Sequence, residues 1–104
     1  MDVLSTAVSG LQASSAKFRV AANNIVNANT PNYEAKQART FSQAAGFDQS
    51  NASGVTTAIF ESGNEVDLAS EFINLTQAKI TYTANAKFIN VAEELVGSLL
   101  DIKG

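Results

Sequence analysis

The chain has 104 residues, a net charge of −3 and 45% hydrophobic residues, which fits one ordinary domain and argues against wholesale disorder. It contains neither cysteine nor histidine, so thiolate sites and disulfides are excluded and the commonest general base and zinc ligands are missing. No run approaches the roughly 18 uninterrupted apolar residues of a transmembrane helix, and no basic stripe of the kind that binds nucleic acid is present. Without a nucleophile beside a base, we expect no enzyme, no metal and no cofactor.

The first predicted element is an N-terminal helix, capped by Asp2 or Ser5, whose side-chain oxygens can accept hydrogen bonds from the first turn. Its large apolar residues repeat every seven positions, a pattern typical of a helix that packs along another helix. This row is Leu4, Leu11, Phe18 and Ile25. A second row of small residues would let a neighbouring backbone approach closely. It is Ala7, Ser14, Ala21 and Ala28.

An asparagine-rich segment follows this helix. Asparagine side chains compete for backbone hydrogen bonds, so this cluster is a poor helix former. The asparagines are Asn23, Asn24, Asn27 and Asn29. Pro31 biases Thr30 towards an extended conformation, which predicts that the helix stops near Asn29. Asn32 tolerates a positive φ, and Tyr33 would then turn back against the helix. On chemistry alone, this segment is a polar helix end and a turn.

The middle of the chain differs from both ends. Residues 41–54 are rich in small and polar types and predict a loop of low order. Val55 to Glu61 has the β-branched and aromatic content of a strand, and Gln37 to Phe41 is its candidate antiparallel mate. We therefore predict a small hairpin, which is marginal unless it packs on the helices.

The last predicted element is a long helix over Val66 to Ile102, a run without proline that would extend roughly 50 Å. Asn64 is its expected cap, with Glu65 and Asp67 in the first turn. One row at seven-residue spacing is Leu68, Leu75, Tyr82, Ile89 and Val96. The row three residues on is Glu71, Ala78, Asn85, Ala92 and Leu99. Further apolar residues surround both rows, so the helix has more apolar surface than one partner can cover. Helix-to-helix assembly with other molecules or further copies is the first functional inference.

Two segments resemble a known family. Ala22 to Tyr33 is similar, nearly residue for residue, to the ANNIANANTPGY signature of bacterial flagellar rod and hook proteins. The acidic and apolar start at Glu65 to Leu75, followed by Tyr82 and Ala84-Asn85-Ala86, resembles the C-terminal motif of the same family. Asn32 stands where the signature usually has glycine, Glu34 where a basic residue is common, and the middle is short. The chain most resembles a minimal proximal-rod protein.

The resemblance implies a mainly α fold, in which two long terminal helices pack as an antiparallel coiled-coil-like pair with a short loop or β-hairpin between them. The expected divisions are residues 1–33, 34–64 and 65–104. The signature residues are Asn23, Asn24, Asn27, Asn29, Pro31, Tyr33 and Asn85. Asn85 is expected to set the register of the helices, and the asparagines to form a hydrogen-bonding girdle near the bend.

The implied function is that of a structural subunit of the flagellar basal-body rod, which self-assembles through its terminal helices into the axial tube. Its partners would be copies of itself, other axial proteins and the flagellar type III export apparatus, with neither nucleic acid nor membrane insertion. Its location would be the periplasm-spanning rod, reached without a cleaved signal peptide. The alternative is a small helical adaptor of the export or rod-assembly system, which would stop at a fixed stoichiometry.

Overall fold

A computed structural model describes residues 3–43 and 54–103 of the chain. Helix α1 spans Val3–Val26, strands β1 and β2 span Lys36–Gln43 and Gly54–Glu61, and helix α2 spans Leu68–Lys103. The mainly helical fold with a hairpin between two long helices is therefore confirmed. Asp2, one of the two expected caps, and most of the predicted loop lie outside the described residues, and Ser5, the other, lies within α1.

The two helices run antiparallel, as predicted. Gly10 of α1 lies against Asn85 of α2, and farther along α1 Phe18 shares a groove with Tyr82. Helix α1 is the central element because it contacts α2 and both strands, whereas no contact between α2 and either strand is found among the described residues.

The two strands form the antiparallel hairpin that the sequence predicts. Their register runs from Lys36 opposite Glu61 to Gln43 opposite Gly54, so the predicted mate, Gln37 to Phe41, does pair with the second strand. The hairpin packs on α1 rather than standing alone. Ser9 of α1 links the two, since its Oγ accepts a hydrogen bond from the Val55 amide at 3.1 Å. This packing supplies the support that an isolated two-stranded hairpin lacks.

The buried core consists of small side chains. The buried apolar residues are Ala7, Ala13, Ala21, Ala35 and Ala78. The molecule measures 62 × 30 × 14 Å, with a radius of gyration of 17.5 Å against about 13 Å for a compact domain of this length. The fold is therefore elongated, and most of its large apolar residues are not in the core.

Two element boundaries differ from the sequence expectation. Helix α1 ends at Val26 rather than near Asn29, and the next residues form turns closed by bonds such as Thr30 N to Asn27 O at 3.0 Å. Asp67, not Asn64, caps α2: its Oδ1 accepts from the Ala69 amide at 3.2 Å.

The expected cap at Asn64 is wrong because this residue belongs to the base of the hairpin. Its carbonyl accepts a hydrogen bond from the Ala35 amide at 2.9 Å, and its own amide donates to Ser62 Oγ at 3.2 Å. Both contacts hold Asn64 beside the strand ends, so the helix starts later, at Leu68.

Candidate assembly surface and the asparagine turn

The end of α1 is joined to the start of β1 through a single side chain. Asn24 is fully buried, and its Nδ2 donates to the Lys36 carbonyl at 2.8 Å while its Oδ1 accepts from the Lys36 amide at 2.9 Å. The same Oδ1 accepts from the Tyr33 hydroxyl at 3.2 Å. Tyr33 thus turns back against the helix, as predicted. The buried amide is satisfied on both its donor and acceptor sides, which removes the cost of burying it.

The other signature residues form the outside of the turn. Asn27 Nδ2 donates to the Asn23 carbonyl at 2.9 Å, and Thr30 Oγ1 donates to Asn27 Oδ1 at 3.1 Å. Asn32 has φ of 62°, the left-handed conformation predicted for it. Asn29 and Pro31 are exposed. The asparagines therefore differ: Asn24 holds the hairpin, while the exposed bonds of Asn27 shape the turn.

The contact between the two helices is made by small residues. Ala7, Ser14 and Ala21 of α1 are buried, as are Glu71 and Ala78 of α2. A Cβ added to Gly10 would lie only 2.8 Å from Asn85 Nδ2, so the backbones come close at this point. The row of small residues on α1 is thus the row that faces α2. Asn85 is half-buried opposite Gly10, where a change of register would break this fit.

The large residues of both heptad rows flank this contact instead of filling it. Phe18, Leu68, Tyr82 and Val96 are exposed. Leu4, Leu11, Ile25, Leu75 and Ile89 are half-buried. These predicted assembly residues leave apolar surface open beside the helix pair, and their role in assembly stays a prediction.

A second apolar surface lies on the side of α2 that faces away from α1. We call it the outer stripe, and it consists of Ile73, Ile80, Phe88, Val91 and Leu95. Successive residues of a helix are turned by about 100°, so Ile80 points nearly opposite to the buried Ala78. Ile73 and Ile80 are 58% and 63% exposed.

The total exposed area of the protein is large for a lone chain of this length. The protein exposes 7462 Å², whereas a compact monomer of this size exposes about 5,600 Å². Contiguous apolar patches beyond a few hundred Å² mark interaction sites on proteins. The outer stripe is therefore the candidate assembly surface.

The described residues offer little for other kinds of chemistry. Residues 3–43 and 54–103 contain no group of three or more metal-ligating side chains that could hold an ion. No helix in these ranges combines the length and the apolar character needed to cross a membrane.

Sequence reasoning missed the partner of Asn24 and the roles of Ser9 and Gly10. Asn24 bonds to backbone atoms, so the bond does not require a particular side chain at position 36 and cannot be read from the sequence. Likewise, nothing in the sequence relates Ser9 to Val55, which lies 46 residues farther along the chain. Gly10 did carry a signal, since a glycine within a helix commonly reflects close packing.

The described residues thus combine an antiparallel helix pair with a small-residue contact, an asparagine turn and open apolar faces. Residues 4–33, which cover α1 and the turn, match the family model described as flagella basal body rod protein. This match includes the signature at Ala22 to Tyr33 and supports the resemblance to rod proteins there, whereas the resemblance at Glu65 to Ala86 lies outside it. The match supports a component of the flagellar basal-body rod, a structural family located in the basal body. Comparison with curated protein sequences gave no significant match.

Proposed function

We propose that the chain is a structural subunit of the flagellar basal-body rod and that it self-assembles through its terminal helices. The observation that carries this proposal is the outer stripe, whose large side chains have no partner from α1. The family match over residues 4–33 supports the same conclusion from the other helix.

Burial of the outer stripe by a neighbour would be strongly favourable. Each Å² of apolar surface removed from water contributes about 25 cal/mol, and five large side chains share the stripe. The outer stripe of one copy and the large heptad residues that flank the helix contact of a second copy are different surfaces. A contact between these two surfaces is therefore heterologous. Repeated heterologous contacts that do not close into a ring generate a filament or a tube.

The other parts of the proposal concern partners and export. We propose further copies and other axial proteins as partners, and export by the flagellar type III apparatus without a cleaved signal peptide. Among the described residues the buried apolar side chains are all alanines, which supports passage of an unfolded chain because small buried side chains contribute little to stability. A lone subunit should therefore unfold readily and gain stability on assembly.

The test is the mass of the purified chain across concentration, measured by light scattering with circular dichroism. Wild type should grow in mass without a ceiling. Ile80→Asp should reach a far lower mass than wild type at equal concentration, with an unchanged helical spectrum, because it introduces a charge that a neighbour would have to bury. Asn90→Asp, an exposed polar position of the same helix, is the matched control and should assemble like wild type.

A discrete dimer or tetramer at every concentration would contradict the proposal and would favour the adaptor alternative. Equal assembly of the Ile80→Asp and wild-type proteins would show that the outer stripe is not the contact surface.

A further inference from the structure

The C-terminal part of α2 continues past the end of α1. Gly10 lies against Asn85, and both helices rise equally per residue, so Val3 at the start of α1 falls near position 92 of α2. Burial follows this geometry, since Ala92 is half-buried and residues 93–100 are all exposed. We call residues 93–103 the free end of α2.

The free end is an amphipathic helix that no other described element of its own chain covers. Its large side chains, exposed by 52% to 65%, are Leu95, Val96, Leu99 and Leu100. These four lie within about 140° of each other around the helix, and Glu94 lies on the far side. Val96, Leu99 and Leu100 continue the face that α1 covers farther back, and Leu95 extends the outer stripe beside them. The free end thus has the pattern of a helix that packs on other helices.

A groove between α1 and α2 has the complementary features. It measures about 400 Å³, has Ser14 and Ala78 as its floor, and is flanked by Phe18 and Tyr82, both exposed. Lys79 is its charged lining residue, and the described strands contribute nothing to its walls. We call it the Phe18–Tyr82 groove.

We propose that the free end of α2 of one copy docks in the Phe18–Tyr82 groove of a second copy. The apolar side chains of the free end match the aromatic walls, and Glu93, which lies beside Leu100 around the helix, is opposite in sign to Lys79. This inference rests on the proposed function, for which it specifies one subunit contact.

The occupant has to be another copy for a geometric reason. Tyr82 and Leu95 belong to the same continuous helix, and their separation of roughly 20 Å cannot close without breaking it. The contact is also head-to-tail, since the free end and the groove are different surfaces. It leaves one groove and one free end open on every pair, so growth continues.

The contact is small. Three turns of helix in a groove fall at the low end of specific interfaces, below about 1,200 Å². Pairwise binding should therefore be weak, and association should increase with concentration, as a subunit stored before assembly requires.

Cross-linking tests the contact directly, because the chain contains no cysteine. One full-length variant carries Thr83→Cys at the rim of the groove, and a second carries Val96→Cys on the free end. The two proteins are mixed and treated with a short bis-maleimide reagent. We expect a heterodimer at least fivefold more abundant than in the control mixture, in which Thr56→Cys on the hairpin replaces Thr83→Cys. Neither variant alone should give a dimer.

The mass of the same samples, measured by light scattering, separates this inference from the proposed function. Growth without the Thr83–Val96 product would overturn the docking and leave the rod subunit proposal intact. The product in a complex that stops at a dimer would keep the docking and contradict the rod subunit. Efficient cross-linking of the Thr83→Cys variant with itself would show a symmetric dimer and overturn the inference, as would the absence of both growth and product.

Charge reversal provides a second test on a folded chain. Lys79→Glu alone, or Glu93→Lys alone, should weaken association about two- to fivefold, the range for exposed ion pairs. The variant that carries the reversals on both surfaces should associate about as strongly as wild type. If the loss of association in the combined variant equals the sum of the losses in the separate variants, the free end does not dock beside Lys79.

Discussion

The side-chain amide of Asn24 is hydrogen-bonded to both backbone groups of Lys36, at 2.8 and 2.9 Å. A residue of the helix therefore takes the place of a strand partner at the first residue of the hairpin. Only an amide side chain presents a donor and an acceptor in this arrangement, so asparagine has a specific structural role here. This pair ties the end of the helix to the start of the hairpin.

We expect Asn24→Ala to lower the free energy of unfolding by about 1–3 kcal/mol, because it removes the three hydrogen bonds of a fully buried amide, including both bonds to the Lys36 backbone. Exchange of the Lys36 amide with solvent should accelerate in the same variant. The measurements are urea unfolding by circular dichroism and hydrogen exchange by NMR. Asn29→Ala, at an exposed position of the same turn, should change stability by less than about 0.5 kcal/mol. Similar losses in both variants would contradict the role of Asn24.

The left-handed residue of the turn gives a second prediction. Asn32 has φ of 62°, where glycine is free of strain and β-branched residues are strongly disfavoured. Asn32→Gly should keep or slightly raise the melting temperature, and Asn32→Val should lower the free energy of unfolding by about 1–2 kcal/mol. Thermal unfolding by circular dichroism measures both. Because the side chain is exposed, a loss in Asn32→Gly would show that the side chain, not the φ angle, determines stability here.

The close approach of the helices gives a third prediction, a coupling between Gly10 and Asn85. In Gly10→Ala the new Cβ would meet Asn85 Nδ2 at 2.8 Å, so the asparagine end must move. The gain in helix propensity, about 1 kcal/mol, should therefore be largely cancelled. With Asn85→Ala already present, the same change should stabilise the chain by close to that full amount. A double-mutant cycle from urea unfolding tests this, and additive effects would rule out the contact.

The start of α2 gives a fourth prediction. Asp67 accepts hydrogen bonds from the Ala69 amide at 3.2 Å and from Ser70 Oγ at 3.1 Å. Asp67→Ala should therefore cost about 1 kcal/mol of stability, the usual loss for an N-cap. Asn64→Ala should cost less than about 0.5 kcal/mol, because Asn64 uses its backbone and its side chain is not the cap. Chemical denaturation of the two variants compares them, and the reverse order would restore Asn64 as the cap.

Much of the architecture follows from local sequence signals. Seven-residue spacing predicts two long helices, the β-branched run from Val55 predicts a strand with its mate at Gln37 to Phe41, and the structure confirms both. The positive φ of Asn32 and the return of Tyr33 also follow from the chemistry of single residues. The family resemblance comes from the signature at Ala22 to Tyr33, whose match extends from residue 4 to residue 33.

The sequence by itself therefore determined the elements, their order and the conformation of the turn, because these depend on neighbours within a few residues. Only the tertiary structure decided which face of each helix meets the other. Large and small rows share the same seven-residue period, and the choice of Ala7, Ser14 and Ala21 depends on how closely the two backbones approach. The pairing of Asn24 with Lys36 was also decided there, because a bond to a backbone leaves no trace in the identity of its partner.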